Sequence, residues 1–289
     1  DRIGFIKEKS QMKRLYLEAG IPTARQHVVS TMEAGLAFIE QVGYPVIVKP
    51  DVGVGATNTW KLTNDAELRD FYHHLPAVPY VMEEFIEGEI CSYDAILNSK
   101  CEPLFESMTV WPPVMDIVNR DLDLMYYTCP DVPDQLRELG RRTVKAFGVS
   151  RRFVHLEFFR LSAPRKNLGK SGDFVALEVN MRPAGGYTPD MMNFANSTDV
   201  YKIWADMIAF DRTDKGKENA QYCGFASRRD GRVFRNPPEY IRQKYAANLK
   251  EEGRVPEALS GAMADYMFIA NFDTLDEMNQ FFVDVVADH

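Results

Sequence analysis

The sequence predicts an α+β protein: a small α/β unit, then a larger part built mostly on antiparallel sheet with flanking helices. Residues 21–82 alternate short apolar strands with amphipathic helical runs, and from Tyr80 onward the strands lengthen and follow one another with few helices between. In addition, two apolar runs late in the chain, VHLEFF and FVALEVNMRP, carry acids at strand spacing.

In chain order, residues 8–19 (EKSQMKRLYLEA) show helical spacing and stop at Gly20 before Ile21-Pro22, a helix end. A strand follows at Gln26–Val29, then a helix opened by Ser30 or Thr31 and a β-rich strand at Pro45–Lys49. Asp51–Thr57 reads as a glycine-bearing turn, Thr59–Leu62 as a strand and Asp65–His74 as a helix. The longer strands are Tyr80–Phe85, Ile90–Leu97, Leu104–Val110, Arg152–Leu161 and Phe174–Asn180, with helices at Asp134–Phe147 and Val200–Phe210. Ser162–Gly172 is a hairpin loop, and the tail adds a helix over Glu239–Leu249, a strand near Tyr266–Asn271 and a helix over Leu275–Val286. The domains expected are a helical lead-in over 1–20, a lid-sized unit over 21–82 and a large part over 83–289.

Composition narrows the function classes. The chain has 289 residues, 45% hydrophobic and 26% charged, enough for a substantial core, and its net charge of −8 argues against non-specific nucleic-acid binding. No apolar run approaches the roughly 20 residues that span a membrane, and the charged start, DRIGFIKEKSQMKR, is no signal peptide. The four cysteines are scattered without metal-type spacing, which reads as free thiols in a reducing compartment and gives an expectation of cytoplasm.

Four segments carry chemistry. Period 2 in Val175–Asn180 puts Glu178, Asn180 and Arg182 on one strand face, and Glu157 on a neighbouring strand would make a second oxygen ligand for a hard cation such as Mg²⁺. The alternative is a pair of solvated acids on a half-exposed sheet. Lys49 ends an apolar strand just before Asp51-Val52-Gly53-Val54-Gly55-Ala56, where glycines let backbone N–H groups approach a polyphosphate. This is neither the Walker pattern nor the dinucleotide fingerprint, and a plain hairpin would also account for it. Val81–Glu89 is an apolar strand entering an acidic turn, suited to a nucleotide base or to nothing in particular. His155 shares the face of Glu157 and reads equally as a substrate contact or as a hydrogen-bonded structural histidine. Trp111-Pro112-Pro113, Met115 and Tyr126-Tyr127 suit a pocket wall or a packed loop, and Met191-Met192 a core position.

The order of these pieces closely resembles the ATP-grasp superfamily over residues 3–210: a lysine on the helix before the lid (Lys9), a second on a lid strand (Lys49), a small-residue loop, a hinge (MEEFIEGE), then two acids, an asparagine and an arginine. The resemblance implies an ATP-grasp fold with ATP and Mg²⁺, or Mn²⁺, as cofactors. Carried over residue by residue, it places Lys9, Lys49 and the amides of Gly53, Gly55 and Ala56 on the phosphates. Glu83 with the backbone of Glu84 and Ile86 would take adenine, Glu89 the ribose, and Glu157, Glu178 and Asn180 the metal. Arg182 and Lys49 would serve catalysis, Arg182 facing substrate and its acyl phosphate. One departure is Glu84, where a lysine often follows the hinge glutamate.

The function implied is an ATP-dependent carboxylate-amine ligase acting through an acyl phosphate on small-molecule carboxylate and amine substrates, releasing ADP and phosphate. Biotin carboxylase shares the scaffold, but CSYDAI after the hinge and RPAGGYTPDMM after Asn180-Met181 depart from its motifs. A nucleotide-binding module without turnover and a structural domain are the non-ligase alternatives. Members commonly carry an α/β domain before the first lysine, and Lys9 falls so early that this domain is expected to be absent from the chain.

Overall fold

The computed structural model describes residues 4–53, 58–112 and 123–288. In chain order the described helices are α1 (Gly4–Lys7), α2 (Lys9–Glu18), α3 (Met32–Val42), α4 (Asp65–His73), α5 (Asp134–Phe147), α6 (Thr188–Asn196), α7 (Val200–Phe210), α8 (Pro238–Lys244), α9 (Glu257–Met263) and α10 (Leu275–Val286). The strands are β1 (Gln26–Val28), β2 (Val46–Pro50), β3 (Trp60–Leu62), β4 (Tyr80–Glu84), β5 (Gly88–Leu97), β6 (Pro103–Trp111), β7 (Met125–Thr128), β8 (Arg152–Leu161), β9 (Phe174–Asn180), β10 (Tyr222–Arg228), β11 (Leu249–Arg254) and β12 (Tyr266–Phe272). The class is α+β, with antiparallel pairing in both sheets.

Two compact units divide the chain: Asp1–Gly88, Glu138–Val149 and Leu156–Asn180 form the first, and Glu89–Arg137, Ser150–His155 and Met181–His289 the second. In the first, a four-stranded sheet runs β1-β4-β2-β3. The central β4 has every residue buried, its two acids included, so those acids must find partners inside the protein. Helices α3 and α4 pack Phe38, Ile39, Leu68 and Phe71 onto Val46, Val48, Tyr80 and Met82. Both start on side-chain caps: Thr31 accepts from Ala34 N–H, and Asn64 from Ala66 and Glu67 N–H.

Helix α2 buries Lys9, Met12, Lys13 and Tyr16, one face at i, i+3, i+4 and i+7. Met12 Sδ accepts the backbone N–H of Val179 on β9 at 3.3 Å, and the Arg142 guanidinium of α5 closes the other end by donating to Ala19 and Gly20 carbonyls at 3.1 and 3.0 Å. A Cβ on Gly88 would lie 2.6 Å from the Arg160 carbonyl oxygen, so the glycine lets the chain after β4 pass close to β8.

The second unit holds a run ordered β11-β12-β10-β7-β6-β5. Against it pack α6, with Met191 and Met192 fully buried, and α10, which opens on a reciprocal capping box between Thr274 and Glu277. The expected helix over Glu239–Leu249 is shorter: α8 ends at Lys244, and Leu249 begins β11, whose residues pair with β12. Strands β7, β10 and β11 and helices α6 and α9 were not expected from the sequence. Trp111 stacks on Tyr126 with ring centroids 4.3 Å apart, as a packed wall rather than an open one, while Pro113 and Met115 lie outside the described residues.

Candidate active site

The start of α2 is fixed by the turn that follows β2. Asp51 is buried, and its carboxylate accepts Ser10 N–H at 2.8 Å and Ser10 Oγ–H at 2.7 Å, while its carbonyl takes Lys9 N–H at 2.9 Å. A carboxylate at a helix N-terminus satisfies orphan donors and meets the positive end of the dipole. Lys9 Nζ in turn donates to the Gly53 carbonyl at 2.9 Å. The first lysine and the glycine turn, read separately in the sequence, are thus bound to each other. Gly55 and Ala56 lie outside the described residues.

Lys49 and Glu83 share one face of the sheet, since Ile47 pairs with Glu83 and Lys49 with Val81. Lys49 Nζ meets Glu83 Oε2 at 2.7 Å; Glu83 Oε1 accepts Gln26 Nε2–H at 2.9 Å and faces Lys13 Nζ at 3.4 Å. Burial alone would push the Glu83 carboxyl up, but Lys13, Lys49 and Gln26 outweigh it and hold the group down at about 2. The folded value lies below the ordinary 4.5, so this contribution to stability is fully present above pH 4.5 and is lost as pH falls toward 2. Acid unfolding followed by circular dichroism is expected to begin within that window, and a stability flat from pH 5 to 2 would contradict the assignment.

Strands β8 and β9 are neighbours and bring Glu157 and Glu178 together. Burial first, and then the Glu157 charge, raise the Glu178 carboxyl, while Lys9 and Lys49 pull it back. Asn180 Nδ2 lies 3.5 Å from Glu157 Oε1, at the outer limit of a hydrogen bond. Burial likewise lowers Lys9, against the pull of Glu178. Lys9, Lys49, Glu83, Glu157, Glu178 and Asn180 therefore meet within one unit.

Other predicted residues are placed differently. Glu84, where the resemblance expects a lysine, is buried and neutralised by two arginines: Arg25 donates from its backbone N–H at 2.7 Å and Nη2 at 3.0 Å, and Arg165 Nη2 lies at 3.3 Å. Ile86 is buried beside Ala24, Leu161 and Val175. Glu89 and Arg182 belong to the second unit and are exposed, Arg182 donating to the Pro183 carbonyl at 2.9 Å. His155 is 5% exposed and bonded through Nδ1 to Asp94 Oδ1 at 2.7 Å, which favours its structural reading; Asp94 also accepts from Ser92 Oγ–H.

Sequence reasoning missed Lys13, Tyr16, Thr23, Gln26 and Asp51. The buried helical face 9-12-13-16 was the available signal for the first two. The Tyr16 hydroxyl is buried with no hydrogen-bond partner, and burial together with Glu178, Glu157 and Glu83 pushes it well above its ordinary value.

These residues fit the groups the fold family implies. Two carboxylates and an amide are oxygen donors of the kind Mg²⁺ takes. Holding the two half-buried acids together costs electrostatic free energy that a cation would relieve, in line with the raised Glu178 carboxyl. Among the described residues no group of three or more His, Cys, Asp or Glu is arranged to hold a metal; the set here is two acids and an amide. Lys9 and Lys49 supply cations for a polyphosphate.

Residues 8–81 match the family described as carbamoyl-phosphate synthase L chain, ATP binding domain. Among solved structures, L-amino acid ligase from Bacillus licheniformis is similar with TM-score 0.69 at 14% identity, over 98% of this chain and 71% of that one. Carboxyaminoimidazole ribonucleotide synthase from Aspergillus clavatus, solved in complex with ATP, gives TM-score 0.70 at 17% identity, over 99% and 74%. The biotin carboxylase domain of Hydrogenobacter thermophilus 2-oxoglutarate carboxylase, solved with MgADP, ADP and bicarbonate, gives 0.68 at 14%, over 98% and 66%. No described helix is long and apolar enough to cross a membrane. The chain therefore has the ATP-grasp fold of these structures, and its residues 8–81 match the ATP binding domain family.

Proposed function

We propose that this chain is an ATP-dependent carboxylate-amine ligase. The observation that carries the reading is the meeting of Lys9 and Lys49 with Glu157, Glu178 and Asn180 around the buried Glu83, a balanced set of cations and hard oxygen donors. A plain solvated sheet face would not bury Lys9 and Glu83 and half-bury the other four. Of the chemistries hosted by similar structures, ligation of an amino acid suits the RPAGG segment beside the acids.

Each residue has a part. Lys9 and Lys49 hold the nucleotide phosphates and offset charge that the substrate carboxylate brings toward them. Glu157, Glu178 and Asn180 hold Mg²⁺, which when bound neutralises phosphate charge. The amide of Gly53 covers the phosphates, and the unit over 21–82 serves as the lid that excludes water. The backbone of Glu84 and Ile86, with Glu83, receives adenine; for Glu89 and Arg182, which belong to the second unit, parts on the ribose and the acyl phosphate rest on the family resemblance alone. An amine then displaces phosphate to form an amide.

Differential scanning calorimetry and titration with Mg-ATP test the reading at its base. A ligand at 100 times its Kd adds about 2.7 kcal/mol to the folded state, so a clear rise in the unfolding midpoint is expected. Phosphate release with paired amino acids, with products identified by mass spectrometry, then separates ligation from binding without turnover. Absence of Mg-ATP binding would end the proposal.

A further inference from the structure

Lys13 has no part in the chemistry above, yet it is 4% exposed and sits among the site's charges. An ammonium taken out of water must be compensated by a charge and by hydrogen bonds. Lys13 Nζ donates to Thr23 Oγ1 at 2.7 Å and faces Glu83 Oε1 at 3.4 Å. Thr23 donates in turn to the Ala176 carbonyl at 2.9 Å, and a parallel bridge sets Thr23 beside Ala176, with Ala176 N–H on the Pro22 carbonyl at 2.7 Å. Ala176 lies two residues before Glu178 on β9 and shares its face. On the other side, Glu83 Oε2 takes Lys49 at 2.7 Å. One chain of polar contacts therefore runs from the strand bearing Glu178, through Thr23, Lys13 and Glu83, to the lysine on β2.

Charge decides what this chain does. Lys9 interacts with Glu178 and Glu83, Lys13 with Glu83 and Glu84, and Lys49 with Glu83 and Glu178. Glu83 divides its two oxygens between two ammonium groups. With Lys13 gone, Lys49 would be its sole salt-bridge partner among the described residues, and a buried carboxylate competes strongly for a single cation. We infer that Lys13 is a positioning residue for the nucleotide: by sharing Glu83 it leaves the Lys49 ammonium available to the phosphate groups of Mg-ATP. The inference rests on the reading of Lys49 as a phosphate ligand.

Mg-ATP titration by calorimetry on the whole chain, compared across Lys13→Met, Thr23→Val and the double variant Lys13→Met/Glu83→Gln, tests it. Lys13→Met is expected to weaken Mg-ATP binding by about tenfold or more, the size of one lost charge-assisted contact. In turnover assays KM for ATP should move more than kcat. Thr23→Val should shift affinity in the same direction by a smaller factor. The double variant, which removes the competing carboxylate charge but also alters a residue assigned to adenine, should bind Mg-ATP more tightly than Lys13→Met and less tightly than the parent. A lysine that only supports the fold would give no such recovery. Parental affinity in Lys13→Met, or loss without recovery in a folded double variant, overturns the inference. If Lys13→Met does not fold, unchanged affinity in Thr23→Val overturns it. Binding by the parent with no effect of these changes sinks this inference alone, whereas a parent that binds no Mg-ATP sinks the ligase reading with it.

Discussion

Glu178→Gln is expected to reduce Mg-ATP-dependent turnover roughly 10³-fold while leaving the ligand-free protein as stable as the parent or slightly more so. The two halves follow from one fact: the Glu178 carboxyl is raised by burial and by Glu157, so its charge is held at a cost in the ligand-free protein. Glutamine keeps the shape and removes that repulsion. Bound metal, by contrast, draws on the charge directly, and its stabilisation of developing phosphoryl charge is worth several kcal/mol. Steady-state phosphate release and thermal unfolding of the same preparation check both halves. Near-parental turnover would remove Glu178 from the metal site, and a large fall in midpoint would show the carboxylate to be a structural partner instead.

Glu83→Leu should be the most destabilising single change in the first unit. It leaves the buried Lys13 and the nearly buried Lys49 without their shared carboxylate, and Gln26 without its acceptor. Removing one partner of a buried ion pair typically costs about 3–5 kcal/mol, which corresponds to a fall of roughly 6–20 °C in unfolding midpoint. Glu83→Gln, which retains an acceptor oxygen, should cost less. A midpoint unchanged in Glu83→Leu would mean that the lysines find other partners.

What the sequence made legible here follows from the range of the interactions. The face holding Glu178 and Asn180 could be read because period 2 is local, and Lys49 because it ends a run of β-branched residues. The place of Lys13 on the buried face of α2 was legible but its role was not, because the groups that define it stand at Thr23, Glu83 and, through Thr23, Ala176, an Oγ1 to carbonyl contact spanning 153 positions. Asp51 looked like a turn residue, and only the folded chain shows it as the anchor of α2. Strand β10 was not expected; a Cβ at its Gly224 would sit 2.8 Å from the Phe282 ring of α10, so the glycine marks close packing of a helix on the strand. Strand β11 was not read, apart from Leu249 at the end of the expected helix, because charged LKEEGR has no apolar alternation of its own.

The pairing of Glu84 with Arg25 and Arg165 constrains the paths open to this sequence over evolutionary time. A lysine at 84, as the family often has, would enter a buried position facing two guanidinium groups that now lie 3.0 and 3.3 Å from the carboxylate. An intermediate with three clustered cations would be selected against, so the arginines must change first or together with the acid. Positions 25, 84 and 165 are thus expected to co-vary among descendants of this chain, as a single heritable unit.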